Sequence, residues 1–77
     1  MVSQKGNLQF KTCGVEFSIE ELEVARFIAN GWSNSAIAEK LHISIHTVKS
    51  RMKKIIAKTD AKNRTQAIAI LTMLNII

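Results

Sequence analysis

From Ser18 onward the apolar positions of this chain recur with a helical period; before it they alternate over short stretches. The clearest stripe lies in the third helical segment, about 45–59. Val48, Met52, Ile55, Ile56 and Thr59 recur there at i, i+4, i+7, i+8 and i+11, the spacing of one buried helix face. At about 100° per residue, Ser50, Lys53 and Ala57 fall opposite that stripe, with Lys49 and Arg51 flanking it. Ser44 stands where its hydroxyl caps the free N–H groups of the first turn. A shorter helix at about 34–41 precedes it, capped by Ser33 or Asn34, with Ile37, Ala38 and Leu41 inward and a tight turn at His42. Leu41, Ile43, Val48, Met52, Ile55 and Ile56 are expected to be buried between the two.

Two further helices complete the pattern. Ser18-Ile19-Glu20-Glu21 is a capping box that opens a helix at about 18–30. Its apolar face steps through Ile19, Leu22, Ala25 and Ile28, widened by Val24 and Phe27, and Gly31 ends it in a left-handed conformation. Asn63, with Gln66 three residues on, starts the last helix at about 64–75, where apolar residues run nearly all round. Ile68, Leu71 and Asn75 form one stripe for the core. A second stripe, Ala67, Ile70, Leu74 and Ile77, is left over. Such a stripe points to a partner, most simply a second copy, unless the N-terminal arm covers it. The predicted fold class is all-α: a tetrahelical, four-helix bundle-like domain.

Residues 1–17 form an N-terminal arm or tail before the domain at 18–77. The alternation Leu8-Gln9-Phe10 and Val15-Glu16-Phe17 around Gly14 is compatible with a short hairpin or an extended arm. The reading taken here is a frayed tail whose Phe residues pack on the domain. Cys13 is the only cysteine, so no internal disulfide forms, and nothing beside it suggests an activated thiol.

Charge sharpens the picture. The net charge of +5 is unevenly spread: residues 1–40 balance to −1 and residues 41–77 to +6, with every cation of the second half between Lys49 and Arg64. A cationic helical block with His46, Thr47, Lys49, Ser50, Lys53 and Lys54 on one face suits a polyanion, and a DNA groove in particular. At 77 residues the chain is one small domain, marginal alone. No signal peptide is visible and the most apolar run, Ala67–Ile77, is too short to span a bilayer, so a cytoplasmic location and no membrane partner are expected.

The cap and the helix dipole explain Glu20, Glu21 and Glu23, so they do not read as catalytic carboxylates. His42 and His46 straddle a turn with no third ligand near, so no metal is expected. No nucleophile–base pair or phosphate loop is present: no enzyme activity, catalytic residue or cofactor is expected. Trp32 serves as a lid on the core or lies against a DNA backbone, burial being the commoner fate.

The residues then match a pattern: Phe17-Ser18-x-x-Glu21-x-Glu23-Val24, Asn30-Gly31-x-Ser33-Asn34-x-x-Ile37-Ala38 and Leu41-x-Ile43-Ser44-x-x-Thr47-Val48-Lys49, followed by Ile55, Lys58, Arg64 and Gln66-Ala67. In these the chain resembles the LuxR/FixJ-type (GerE-like) helix-turn-helix domain over roughly residues 17–74. The resemblance implies a bacterial transcription regulator that binds double-stranded DNA, with the third helix in the major groove and a homodimer through the last helix. By position it implies base contacts from Lys49, Ser50 and Lys53. It places Ser44, His46, Thr47, Lys54 and Lys58 nearer phosphates. Together with the leftover stripe it gives a dimer interface of Ala67, Ile70, Leu71, Leu74 and Ile77. Glu20, Ala36, Arg51, Thr59 and Ala61 depart from the pattern, the last two at the junction of the third and fourth helices. Receiver or sensing domains that precede this module elsewhere have no counterpart in these residues. That leaves control by abundance or partners, or a place within a longer chain. Two other readings share the layout: a promoter module like region 4 of a sigma factor, which would bind RNA polymerase, and an antagonist that pairs through the last helix without reading DNA.

Overall fold

In the computed structural model, which describes residues 9–12 and 15–77, four helices follow a two-stranded ribbon. The helices are α1 (Ile19–Ala29), α2 (Asn34–Leu41), α3 (Ile45–Thr59) and α4 (Arg64–Met73). Each begins on a side-chain cap. Ser18, Ser33, Ser44 and Asn63 accept hydrogen bonds from the amides of Glu21, Ala36, Thr47 and Gln66 at 2.8–3.1 Å. Each cap satisfies an otherwise orphaned N–H of the first turn, a gain of about 0.5–2 kcal/mol over alanine. Ser33, not Asn34, caps α2. The box at Ser18 is complete, because Glu21 Oε1 also accepts from the Ser18 amide at 3.0 Å. At α4 the return bond is displaced by one residue: Gln66 Oε1 accepts from the amide of Lys62.

The helices also stop alike. Gly31, His42, Asp60 and Asn75 hold φ between 58° and 89°, the left-handed region. The next residue in each case, Trp32, Ile43, Ala61 or Ile76, donates its amide to the carbonyl of Phe27, Ala38, Ile56 or Leu71 at 2.9–3.1 Å. This is the Schellman closure, and every one of these following residues is apolar and turns back on the core. Gly31 adopts the conformation without steric cost, while His42, Asp60 and Asn75 are held in it by that closure. Asn75, expected in the buried stripe of the last helix, is instead its exposed terminator.

α3 is the hub, touching α1, α2, α4 and the second strand. Its buried stripe divides between two clusters. Val48 packs with Ile37 and Ala38 of α2 and Val24 of α1. Met52 and Ile55 pack with Leu22 and Ala25 of α1 and with Ala67 and Leu71 of α4. Leu41, Ile43 and Ile56 border these clusters and are only half-buried, and Ile19, expected inward, is 40% exposed at the edge of the first turn. Thr59 turns its hydroxyl onto the carbonyls of Ile55 and Ile56 at 2.9 and 3.2 Å. Trp32 is the lid: its ring meets Phe27 with centroids 4.5 Å apart and a 56° tilt.

The ribbon corrects the reading of the arm as a frayed tail. Strands β1 (Gln9–Thr12) and β2 (Val15–Ser18) pair antiparallel with Phe10 opposite Phe17 and Thr12 opposite Val15. The physical reason is the anchor at its end. Phe17 is 1% exposed and sits among Leu22, Ala25, Met52, Ile55, Ala67 and Leu71. A strand whose last apolar residue is buried in the helical core has a fixed template for its neighbour to pair with. The fold is therefore the expected all-α tetrahelical domain preceded by a two-stranded ribbon, whose Phe17 joins the core that the helices form. Leu8, Cys13 and Gly14 lie outside the described residues.

Candidate nucleic-acid interface

α3 presents one face to the core and the other to solvent. With Val48, Met52 and Ile55 buried, Lys49, Ser50, Lys53, Lys54 and Ala57 are exposed. Lys49, Lys53 and Lys54 have no carboxylate within ion-pair distance among the described residues. Their charge is thus directed outward, not spent on internal pairing. His46 and Ser44 are exposed at the start of the helix, and Thr47 is half-buried beside them. The Ser44 hydroxyl accepts from the Thr47 amide at 3.1 Å and lies 3.0 Å from the Thr47 hydroxyl. The amides of Thr47 and Val48 are tied to Ser44, which leaves those of Ile45 and His46 at the open end of the helix. None of α2, α3 and α4 carries an acidic residue in its first turn, whereas α1 carries Glu20 and Glu21. The three helix ends around the exposed face of α3 thus keep their positive dipole ends uncompensated, an arrangement suited to anions.

Lys58 stands apart from the other cations. Its ammonium donates to both carboxylate oxygens of Glu21, at 2.7 and 3.0 Å, and lies 5.8 Å from the centre of the Phe17 ring. Glu21 is buried, 5% exposed, so one carboxylate both completes the α1 cap and clamps α1 to the end of α3. Removing the two partners has unequal consequences. Lys58→Ala strands a buried carboxylate, while Glu21→Gln leaves a half-exposed ammonium that water can solvate. The expected order in urea unfolding is Lys58→Ala clearly less stable than Glu21→Gln; equal losses would show that the pair acts only as a surface contact.

The proposed dimer residues also divide. Ala67 and Leu71 are fully buried in the domain's own core, packed against Phe17, Met52 and Ile55, and are corrected to core positions. Ile70 and Met73 of α4 and Leu74 and Ile77 after it are apolar with surface to spare. Leu74 is 49% exposed and Met73, outside the stripe drawn from sequence, is 79% exposed; Ile70 and Ile77 are half-buried. No helix among the described residues is long and apolar enough to cross a membrane.

One cation escaped the reading of the α3 face. Arg64 opens α4 and donates from Nη1 to Asn34 Oδ1 at 3.1 Å, joining the start of α4 to the start of α2. Its placement offered a signal: a cation at the first position of a helix opposes the dipole, so helix stability does not account for it.

The pattern of the family described as bacterial regulatory proteins, luxR family, matches residues 15–71. The chain belongs to this family. It is a family of DNA-binding transcription regulators, and its match includes the β2 strand that carries Phe17 as well as all of α1, α2 and α3. The chain is also similar to the response regulator protein VraR of Staphylococcus aureus, Staphylococcus saprophyticus and Staphylococcus epidermidis. Identity is 44% over 48 residues, which is 62% of this chain and 23% of each relative. The matched stretch thus covers under a quarter of the length of those regulators.

Proposed function

We propose that this luxR-family domain is a sequence-specific reader of double-stranded DNA that regulates transcription in the bacterial cytoplasm, with α3 lying in the major groove. The observation that carries this reading is the exposure of Lys49, Ser50 and Lys53 on a helix whose opposite face is locked into the core by Val48, Met52 and Ile55. A rigidly held helix delivers side chains to base edges in a fixed register, which a mobile segment cannot. In this reading Lys49, Ser50 and Lys53 meet bases. Ser44, His46, Thr47 and Lys54 meet phosphates through side chains and the open amides of the first α3 turn. Lys58 is left out of the phosphate set because its ammonium is committed to Glu21. Two copies pair through Ile70, Met73, Leu74 and Ile77, which would cover the apolar surface that α4 and its end expose. The relatives named response regulators fit a regulatory role for this chain, and the luxR-family match supports DNA reading.

Selection of bound duplexes from a random pool tests the reading. The expected winners share a half-site repeated with two-fold symmetry about one helical turn apart, 10–10.5 base pairs centre to centre. Binding to such a site should weaken steeply with salt as phosphate contacts are screened and counterions are no longer released to advantage. Winners with no shared half-site, or affinity indifferent to salt, would overturn it.

A further inference from the structure

Beside the exposed face of α3 lies a shallow groove of about 240 Å³ lined by Asn34, Lys49, Met52, Lys53, Ile56 and Arg64. Its floor is apolar, from Met52 and Ile56. Its rim is cationic, with Lys49 and Lys53 on one side and Arg64 on the other, and no carboxylate lines it. Arg64 has no acidic partner among the described residues; it donates to the neutral amide oxygen of Asn34. That bond uses one of five guanidinium donors and tethers the group at the groove, leaving a fork free for a planar or tetrahedral anion.

We propose that this groove seats the sugar–phosphate backbone of one DNA strand, and that Arg64, held by Asn34, is a phosphate ligand. The inference rests on the reading of α3 as the helix in the major groove and extends it to α2 and α4. Lys49 and Lys53 belong both to the base-reading face and to the wall of this groove. The major groove is about 12 Å wide, so the backbones bounding it run alongside a helix inserted there. A strand whose bases meet Lys49 and Lys53 therefore carries its phosphates past the far rim, where Arg64 waits. The apolar floor suits deoxyribose, which offers no charge to desolvate. The three contributing elements fix the register of the domain on the duplex without reading sequence.

The test compares the wild-type chain with Arg64→Gln and Arg64→Lys on a duplex selected by the wild type and on a random duplex, over 50–200 mM salt. Arg64→Gln is expected to lower affinity on both duplexes and to lower the salt slope by about 0.9 per bound copy, the loss of one phosphate contact each. Over that salt range the wild type's advantage then shrinks about 3.5-fold for each bound copy. Arg64→Lys keeps the charge and should keep the slope, with base preference unchanged in both variants. An unchanged slope in Arg64→Gln, or a loss confined to the selected duplex, overturns the proposal. Protection gives an answer that needs no variant to fold: bound duplex should slow phenylglyoxal modification of Arg64 in the wild-type chain, and equal rates with and without duplex overturn it. If the wild type binds with a steep salt slope and Arg64 proves indifferent, only this inference falls. If the wild type fails to bind duplex at all, the reading of α3 falls with it.

Discussion

Phe17→Ala should lower the free energy of unfolding by about 3–5 kcal/mol, the cost of emptying a buried aromatic site. Phe17 is 1% exposed, in contact with the cluster where α1, α3 and α4 converge. The cavity would open beneath Met52, Ile55, Ala67 and Leu71, with the Lys58–Glu21 clamp directly above it. Domains have only about 5–15 kcal/mol in total, and small ones sit at the low end, so this single change removes a large part of the stability. Urea unfolding followed by circular dichroism checks it. A loss below about 0.5 kcal/mol, the range of ordinary surface substitutions, would mean that the strand before α1 does not belong to the core. The effect should be independent of protein concentration, because the contacts are all within one chain. A truncation that begins at Ser18 should behave like the point variant, since it removes the same ring.

Lys49→Ala should weaken binding to a selected duplex by about 1–3 kcal/mol per half-site, roughly 5- to 150-fold for each, and relax base preference at one position of each half-site. A lysine pairs best with guanine O6 and N7, so the relaxed position is expected to be a G. Because Lys49 is exposed and makes no ion pair among the described residues, the folded state should be unaffected within about 0.5 kcal/mol. This separates a reading residue from a scaffold residue: stability stays while specificity goes. Lys54→Ala provides the contrast, with a uniform loss on all duplexes and a reduced salt slope. If Lys49→Ala instead lowered affinity equally for every sequence, Lys49 would be a phosphate contact and the register assigned to α3 would be wrong.

Much of this protein was legible before any coordinates. The caps at Ser18, Ser44 and Asn63 and the stop at Gly31 are local signals, because a cap is decided by residues three apart and a left-handed stop by one residue. The face of α3 that carries Lys49, Ser50 and Lys53 followed from its period alone. The stops at His42, Asp60 and Asn75 were harder, since none is glycine; what reveals them is the apolar residue that follows and its closure onto the preceding turn. Such a closure depends on the core that receives Ile43, Ala61 and Ile76.

The amino-acid order by itself determined the four helices, their ends within about two residues, and the side of α3 that faces out. These depend on neighbours one to four positions apart, where geometry is common to every helix. Tertiary structure alone decided which apolar surface of α4 was already spent. Ala67 and Leu71 meet Phe17, some 50 residues earlier, and Glu21 takes the ammonium of Lys58 across a gap of 37 residues. Periodicity tells that a face is apolar or charged but not which partner reaches it first. Pairing over such distances is settled only when the whole chain competes for the same surface.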